Sequence, residues 1–167
     1  MQTLDTPRLH GRRVTADDFE FVVEVWNDHR VAPTIGGQQP ETYLRDRLLA
    51  WSDHWDAHAF GEMLFIARST GQRIGWGGLQ VATIGIGERL TLGYVVHADA
   101  WGSGYATEIA LASVRYAVDV LATPTIFASV LSTNTASRRV LEKADFSVST
   151  EIDHGSFIEV VYEINVR

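Results

Sequence analysis

Residues 89–131 alternate an apolar strand, an amphipathic helix and a second apolar strand, and this unit restricts the fold more than any other part of the chain. "RLTLGYVV" (89–96) and "TIFASVL" (125–131) read as buried strands. The helix between them ends near Leu121, ahead of Pro124; it buries Ala106, Ile109, Ala110, Val114, Ala117 and Leu121 and exposes Glu108, Arg115 and Asp119. A helical crossover returns the chain to the same end of the sheet, so the two strands it joins run parallel.

Everything around this unit reads as antiparallel. "EMLFIARS" and "QRIGWGGLQVAT" flank Thr70-Gly71 as a hairpin, a Gly85/Gly87 turn leads into the strand at Arg89, and "FSVSTEI" with "FIEVVYEI" closes the chain across "DHGS". "RLHGRRV" (8–14) is the first strand. Thr15 and Asp18 then cap a helix carrying Phe19, Val22, Val23 and Trp26 on one face. A second helix, 41–58, starts behind Pro40 with Leu44, Leu48, Trp51 and Trp55 as its apolar stripe. The expected order is βααβββαβαββ: a mixed α/β fold of about seven strands, mostly antiparallel with the fourth and fifth parallel, and four helices.

With 167 residues, 46% of them hydrophobic, the chain is expected to form one domain over 1–167. No run of about 18 apolar residues occurs and "MQTLDTPRLHGRR" lacks an export signal, which points to a cytoplasmic protein without a membrane partner. The absence of cysteine excludes disulfides, thiolate metal sites and an acyl-cysteine intermediate. A formal charge of −7 disfavours nucleic acid and suits a cationic partner. A homodimer is allowed.

The link into the crossover helix, "HADAWGSGYATE", sets Gly102 and Gly104 between a strand end and a first helical turn. Amides there lack intrahelical acceptors and the helix dipole is positive, so such a turn cradles a phosphate or pyrophosphate. Glycine supplies positive φ and removes the Cβ from a ligand's path; a plain tight turn is the alternative. A Walker loop needs Gly-Lys-Ser/Thr, but Tyr105 follows Gly104; a dinucleotide fingerprint needs glycine at Thr107.

"LGYVVHADAWGSGYATEIAL" (92–111), together with "NTASRRVLEKADF" (134–146), resembles the GNAT superfamily of acyl-CoA-dependent N-acetyltransferases, in particular its ribosomal-protein-alanine acetyltransferase-like (RimJ/RimL-type) branch. The likeness extends from "TPRLHGRRVTADD" to the final "VVYEI". It implies acetyl-CoA as cosubstrate and a primary amine as acceptor: a protein N-terminal α-amine first, then a polyamine or aminoglycoside-like amine. It places the CoA pyrophosphate on the loop of Trp101, Gly102, Ser103, Gly104, Tyr105, Ala106 and Thr107. The pantetheine arm falls along Tyr94, Val95 and Val96, with an amide near Val95 or Val96 polarising the thioester carbonyl. Asn134 matches a residue that bonds pantetheine, and Ser137 the hydroxyl facing the CoA sulfur. A helix cap is the plain alternative for Asn134, and a small first-turn residue for Ser137.

The catalytic base is open. Many members of the branch carry glutamate two positions ahead of the Gly-Tyr glycine, where this chain has Thr91; Glu159 on the last strand is a candidate through a bridging water, or an exposed strand residue. The missing glutamate supports a second reading, a catalytically weak CoA-binding regulatory or interaction module. The superfamily favours Gln or Arg at Asp99 and Tyr at Leu141, and Asp145 replaces a glycine at a helix end, where Asp tolerates a left-handed backbone. His54 and His58 have chelating spacing without a third ligand, so no metal is expected. Trp51, Trp55, Phe60 and Trp76 line an acceptor pocket or belong to the core.

Overall fold

In a computed structural model, which describes residues 3–84 and 87–166, the chain forms one eight-stranded sheet and four α-helices joined by short 3-10 turns. The strands are β1 (Thr3–Asp5), β2 (Leu9–Arg13), β3 (Glu62–Ala67), β4 (Arg73–Thr83), β5 (Glu88–Val96), β6 (Thr125–Leu131), β7 (Ser147–Asp153) and β8 (Ile158–Asn165). The helices are α1 (Phe19–Asn27), α2 (Glu41–His58), α3 (Tyr105–Asp119) and α4 (Thr135–Lys143). The sheet order is β1-β2-β3-β4-β5-β6-β8-β7, and β5–β6 is the parallel pair. These are the fourth and fifth strands of the sequence reading. The eighth strand is β1, whose three residues pair with β2 from Thr3↔Arg12 to Asp5↔His10; it is too short to show alternation. Of the expected Gly85/Gly87 turn, Gly85 lies outside the described residues, and Gly87 has φ +105°.

Alternation along β3 divides the core. Leu64 faces α1 and α2 and packs with Val22, Val25, Leu48, Trp51 and Trp76. Met63 and Phe65 face the other way, toward Ile109 of α3. Local signals set the ends of several elements: Asp18 accepts a hydrogen bond from the Thr15 amide at 2.9 Å, and Asp145 takes φ +65° behind α4.

The parallel pair positions the site. β5 and β6 share register at Thr91↔Phe127. Past that point the described residues show no further pairing between them, so a gap opens in the middle of the sheet.

Candidate active site

Two cavities meet at this gap. One, of about 370 Å³, runs from the glycine loop to α4 and is lined by Gly102, Gly104, Thr107, Asn134, Ala136 and Lys143 among others. The second, of about 330 Å³, lies between the α1/α2 layer and the open strand pair. Ile35, Tyr94, Val95 and Ser137 line both.

The glycine loop has the backbone that sequence reasoning asked of it. Gly102 has φ +76° and Gly104, the N-cap of α3, φ +80°. These conformations favour glycine strongly, and they leave the first-turn amides of α3 without intrahelical acceptors. Arg8 braces the loop from behind: its Nη1 donates to Ser103 O at 2.8 Å, its Nε to Glu108 Oε2 at 2.6 Å, and its guanidinium lies 4.7 Å from the Tyr105 ring centroid. Glu108, expected on the exposed face, is instead held there by Thr6 and Arg8, its side chain 13% exposed. Burial pushes its pKa up, but hydrogen bonds from Thr6 and Arg8 outweigh this and hold the carboxyl below its ordinary range.

On β5, His97 N donates to Ile74 O at 2.8 Å, which fixes the hydrogen-bonding alternation: the Val95 backbone is directed at β4, that of Tyr94 and Val96 toward the gap. The Trp101 indole donates to Val96 O at 2.9 Å and occupies that carbonyl. Of the two amides named for thioester polarisation, Val96 therefore faces the gap and Val95 does not.

Asn134 caps α4, with Oδ1 accepting from Ser137 N at 3.0 Å, and its Nδ2 donates to Thr34 O at 3.1 Å. The side chain thus ties α4 to the α1–α2 connection along the groove. Replacing Asn134 with Ala is expected to cost about 1 kcal/mol, read as a fall in melting temperature. Asp99 is engaged from the same connection: Arg30 Nη1 donates to it at 2.7 Å while pairing with Asp28. An arginine from another segment thus sits beside a position where the superfamily favours Gln or Arg.

Ser137 Oγ and Tyr94 Oη lie 2.9 Å apart, and Tyr94 Oη also donates to Ser137 O at 3.1 Å. Burial raises the Tyr94 pKa beyond its ordinary value, so the phenol stays protonated. The sequence points to Tyr94 only as a backbone contributor; the structure also brings its hydroxyl to Ser137 at the junction.

Glu159 does not reach either cavity. It pairs with His154 Nε2 at 2.9 Å across the β7–β8 hairpin. The carboxyl the structure brings to the gap is Glu62, 7% exposed at the start of β3. Glu62, Gly78 and Gly93 form one row across three strands. The two glycines let the side chain lie along the sheet, and a Cβ built on Gly93 would be 3.6 Å from Glu62 Oε1. Gln80 Nε2 donates to that oxygen at 2.7 Å, and the Trp55 indole holds the Glu62 carbonyl at 2.8 Å. Burial raises its pKa to about 8 against the opposing effects of Arg47 and Gln80. Thr91, where the branch carries glutamate, donates to Gln80 O at 3.0 Å. The available signal for Glu62 was an acid opening an otherwise apolar strand.

Of the aromatic group, Trp51 and Trp76 line the second cavity, joined by Trp26 from α1, while Trp55 packs behind Glu62. His54 uses both ring nitrogens on backbone, Nδ1 with Phe60 O and Nε2 accepting from Val81 N, so neither is free for a metal. Among the described residues no helix is long and apolar enough to cross a membrane.

Comparison with known proteins agrees with this architecture. A crystal structure of an acetyltransferase from Agrobacterium tumefaciens str. C58 superposes with a TM-score of 0.87 at 23% identity, covering 99% of this chain and 95% of that one. A ribosomal-protein-S5-alanine acetyltransferase from Vibrio fischeri gives 0.79 at 14% identity, covering 98% and 96%. A RimL ribosomal L7/L12 alpha-N-protein acetyltransferase, solved in complex with coenzyme A, gives 0.79 at 10% identity, covering 98% of each chain. At such identities the likeness is one of fold. The family itself rests on sequence, since the description of the acetyltransferase (GNAT) domain matches residues 8–147. Those residues include the glycine loop, the open strand pair and Ser137, and the chain belongs to the GNAT acetyltransferases, with acetyl-CoA as its cosubstrate.

Proposed function

We propose that this acetyltransferase acetylates primary amines by direct attack in a ternary complex, with a protein N-terminal α-amine as acceptor, as in the RimJ/RimL-type branch. The observation that carries the reading is the meeting of the two cavities at Tyr94, Val95 and Ser137. A donor groove and a separate acceptor space sharing one wall suit a reaction in which both substrates are bound together. Acetyl-CoA supplies an activated acyl group. In this reading the glycine loop and Tyr94, Val95, Val96 and Asn134 bind it, the Val96 amide faces its thioester carbonyl, and the Ser137–Tyr94 hydroxyl pair supplies a proton to the departing thiolate.

Protonation arithmetic favours an α-amine. Presenting it neutral at pH 7 costs about 1–1.5 kcal/mol, against about 4–5 kcal/mol for a lysine-like amine. The second reading, a catalytically weak CoA-binding module, draws on Thr91, whose hydroxyl is committed to Gln80 O.

Incubation with acetyl-CoA and a panel of α-amine peptides, N-terminally blocked lysine peptides, polyamines and aminoglycosides separates the two, with mass spectrometry reading acetylation. Modification of the α-amines ahead of the others is expected. Thiol release at background level across the panel would support the non-enzymatic module instead.

A further inference from the structure

The second cavity is lined by two side chains that are charged in their ordinary state, Arg47 from α2 and Glu62 from β3. Glu62 is 7% exposed and bonded to Gln80, and burial raises its pKa to about 8, so at neutral pH it is largely protonated. Arg47 is exposed and keeps its charge. The charge that a molecule in this cavity meets is therefore positive, although the chain as a whole carries −7.

Arg47 is also unspent. Arg8, Arg12, Arg13, Arg30 and Arg68 each pair with a carboxylate at 2.6–2.9 Å. Arg47 has no hydrogen bond or ion pair among the described residues; its guanidinium lies over the Trp51 ring, 5.9 Å from the centroid. A contact with a ring face uses none of the five N–H donors, which form a planar fork that matches a carboxylate. Beside it, Trp76 lies 6.0 Å from both Trp26 and Trp51, centroid to centroid, and the three indoles form a rigid apolar wall.

We infer that this cavity takes amines that carry a carboxylate apart from the reacting nitrogen, on a short acidic N-terminal segment or on a small amino acid, and that Arg47 is the residue that selects them. The inference rests on the amine-transfer reading above and names its substrate class. The carboxylate meets Arg47, the apolar part of the acceptor lies on the indole wall, and the nitrogen reaches the Tyr94/Ser137 wall shared with the donor groove. Arg47 touches no reacting atom; it binds and orients the acceptor. A polyamine or an aminoglycoside would instead bring further ammonium groups to a positive wall that offers them no ionised carboxylate.

The test uses the whole chain with acetyl-CoA and matched acceptors at neutral pH. C-terminally amidated Ala-Asp and Ala-Glu peptides are set against their Ala-Asn and Ala-Gln counterparts, and an ω-amino acid against the alkylamine of the same length. In at least one of these sets the acid is expected to exceed its uncharged counterpart by about tenfold or more in kcat/KM, carried mainly by KM. Which set shows it distinguishes the peptide-borne carboxylate from the free one. Arg47→Met keeps the apolar stem against Trp51 and removes the charge, and is expected to bring the ratio to about one while leaving the uncharged acceptors as they were. Arg47→Lys keeps the charge without the fork and is expected to restore part of the preference. Retention of the acetyl-CoA-induced thermal shift establishes that each variant folds.

Equal use of acid and uncharged counterpart in every set overturns the assignment, as does a preference that Arg47→Met leaves intact. If the wild type transfers to no amine, the transferase reading fails and the cavity is read by calorimetry with the Ala-Asp peptide in the presence of CoA. Binding that Arg47→Met weakens about tenfold then still supports the selectivity. No binding, or binding equal to that of the Ala-Asn peptide, overturns it.

Discussion

Glu62→Gln is expected to melt well above the wild type at pH 9 in the absence of ligand, and level with it at pH 4. Glu62 is buried, and desolvation raises its pKa from 4.5 to about 8. The folded state therefore binds the proton more tightly than the unfolded one. The stability this provides is complete below pH 4.5 and is lost as pH rises through 8. At 1.36 kcal/mol per pKa unit, the loss is on the order of 3–5 kcal/mol. Glutamine has nearly the same shape and has no charge to desolvate, so it escapes the loss. For a domain of this size each kcal/mol moves the melting temperature by about 2–4 °C, which circular dichroism at pH 4, 7 and 9 resolves. A gap between the proteins that does not widen with pH would mean that Glu62 is solvated through the cavity. Stability given up at a site above neutral pH is the usual companion of a group held for chemistry.

The second large effect concerns the glycine loop. Acetyl-CoA at a hundred times its dissociation constant is expected to stabilise the wild type by about 2.7 kcal/mol. Gly104→Val should remove that shift and also lower the ligand-free stability. Gly104 sits at φ +80°, where a side chain strains the backbone by about 1–2 kcal/mol, and an added Cβ would come 3.5 Å from Arg8 Nη2. Gly71→Val separates the two effects. Gly71 has φ +72° with nothing within 4 Å of an added Cβ, in the hairpin turn between β3 and β4. It carries similar strain and should keep the full acetyl-CoA shift. A shift that survives in Gly104→Val would place the phosphate cradle elsewhere.

Both predictions depend on residues that were unequally legible. Gly104 is readable because its requirement is local: a strand end, a helix start and a positive φ fall within a few residues. The Asn134 cap and the left-handed Asp145 behind α4 were readable for the same reason. Glu62 was not, because its place depends on two registers at once, Glu62↔Gly78 and Gly78↔Gly93. Thr91 suggested that a base was missing. The row across three strands puts a carboxyl at the neighbouring position from a strand some thirty residues earlier. Glu159 had the right residue type and alternation, but the β7–β8 hairpin pairs it with His154 instead.

The sequence by itself determined the strand–helix–strand unit, hence one parallel pair in an antiparallel sheet, and the glycine loop with positive φ at the mouth of α3. Hydrogen bonding and side-chain periodicity over ten or fifteen residues are enough for that. Tertiary structure decided where β5 and β6 part and that Trp26, Trp51 and Glu62 line one cavity. It also decided that Arg8 braces the glycine loop and Arg30 engages Asp99 from distant segments. Those outcomes follow from strand register and from how α1 and α2 pack on the sheet, which no short stretch of chain encodes.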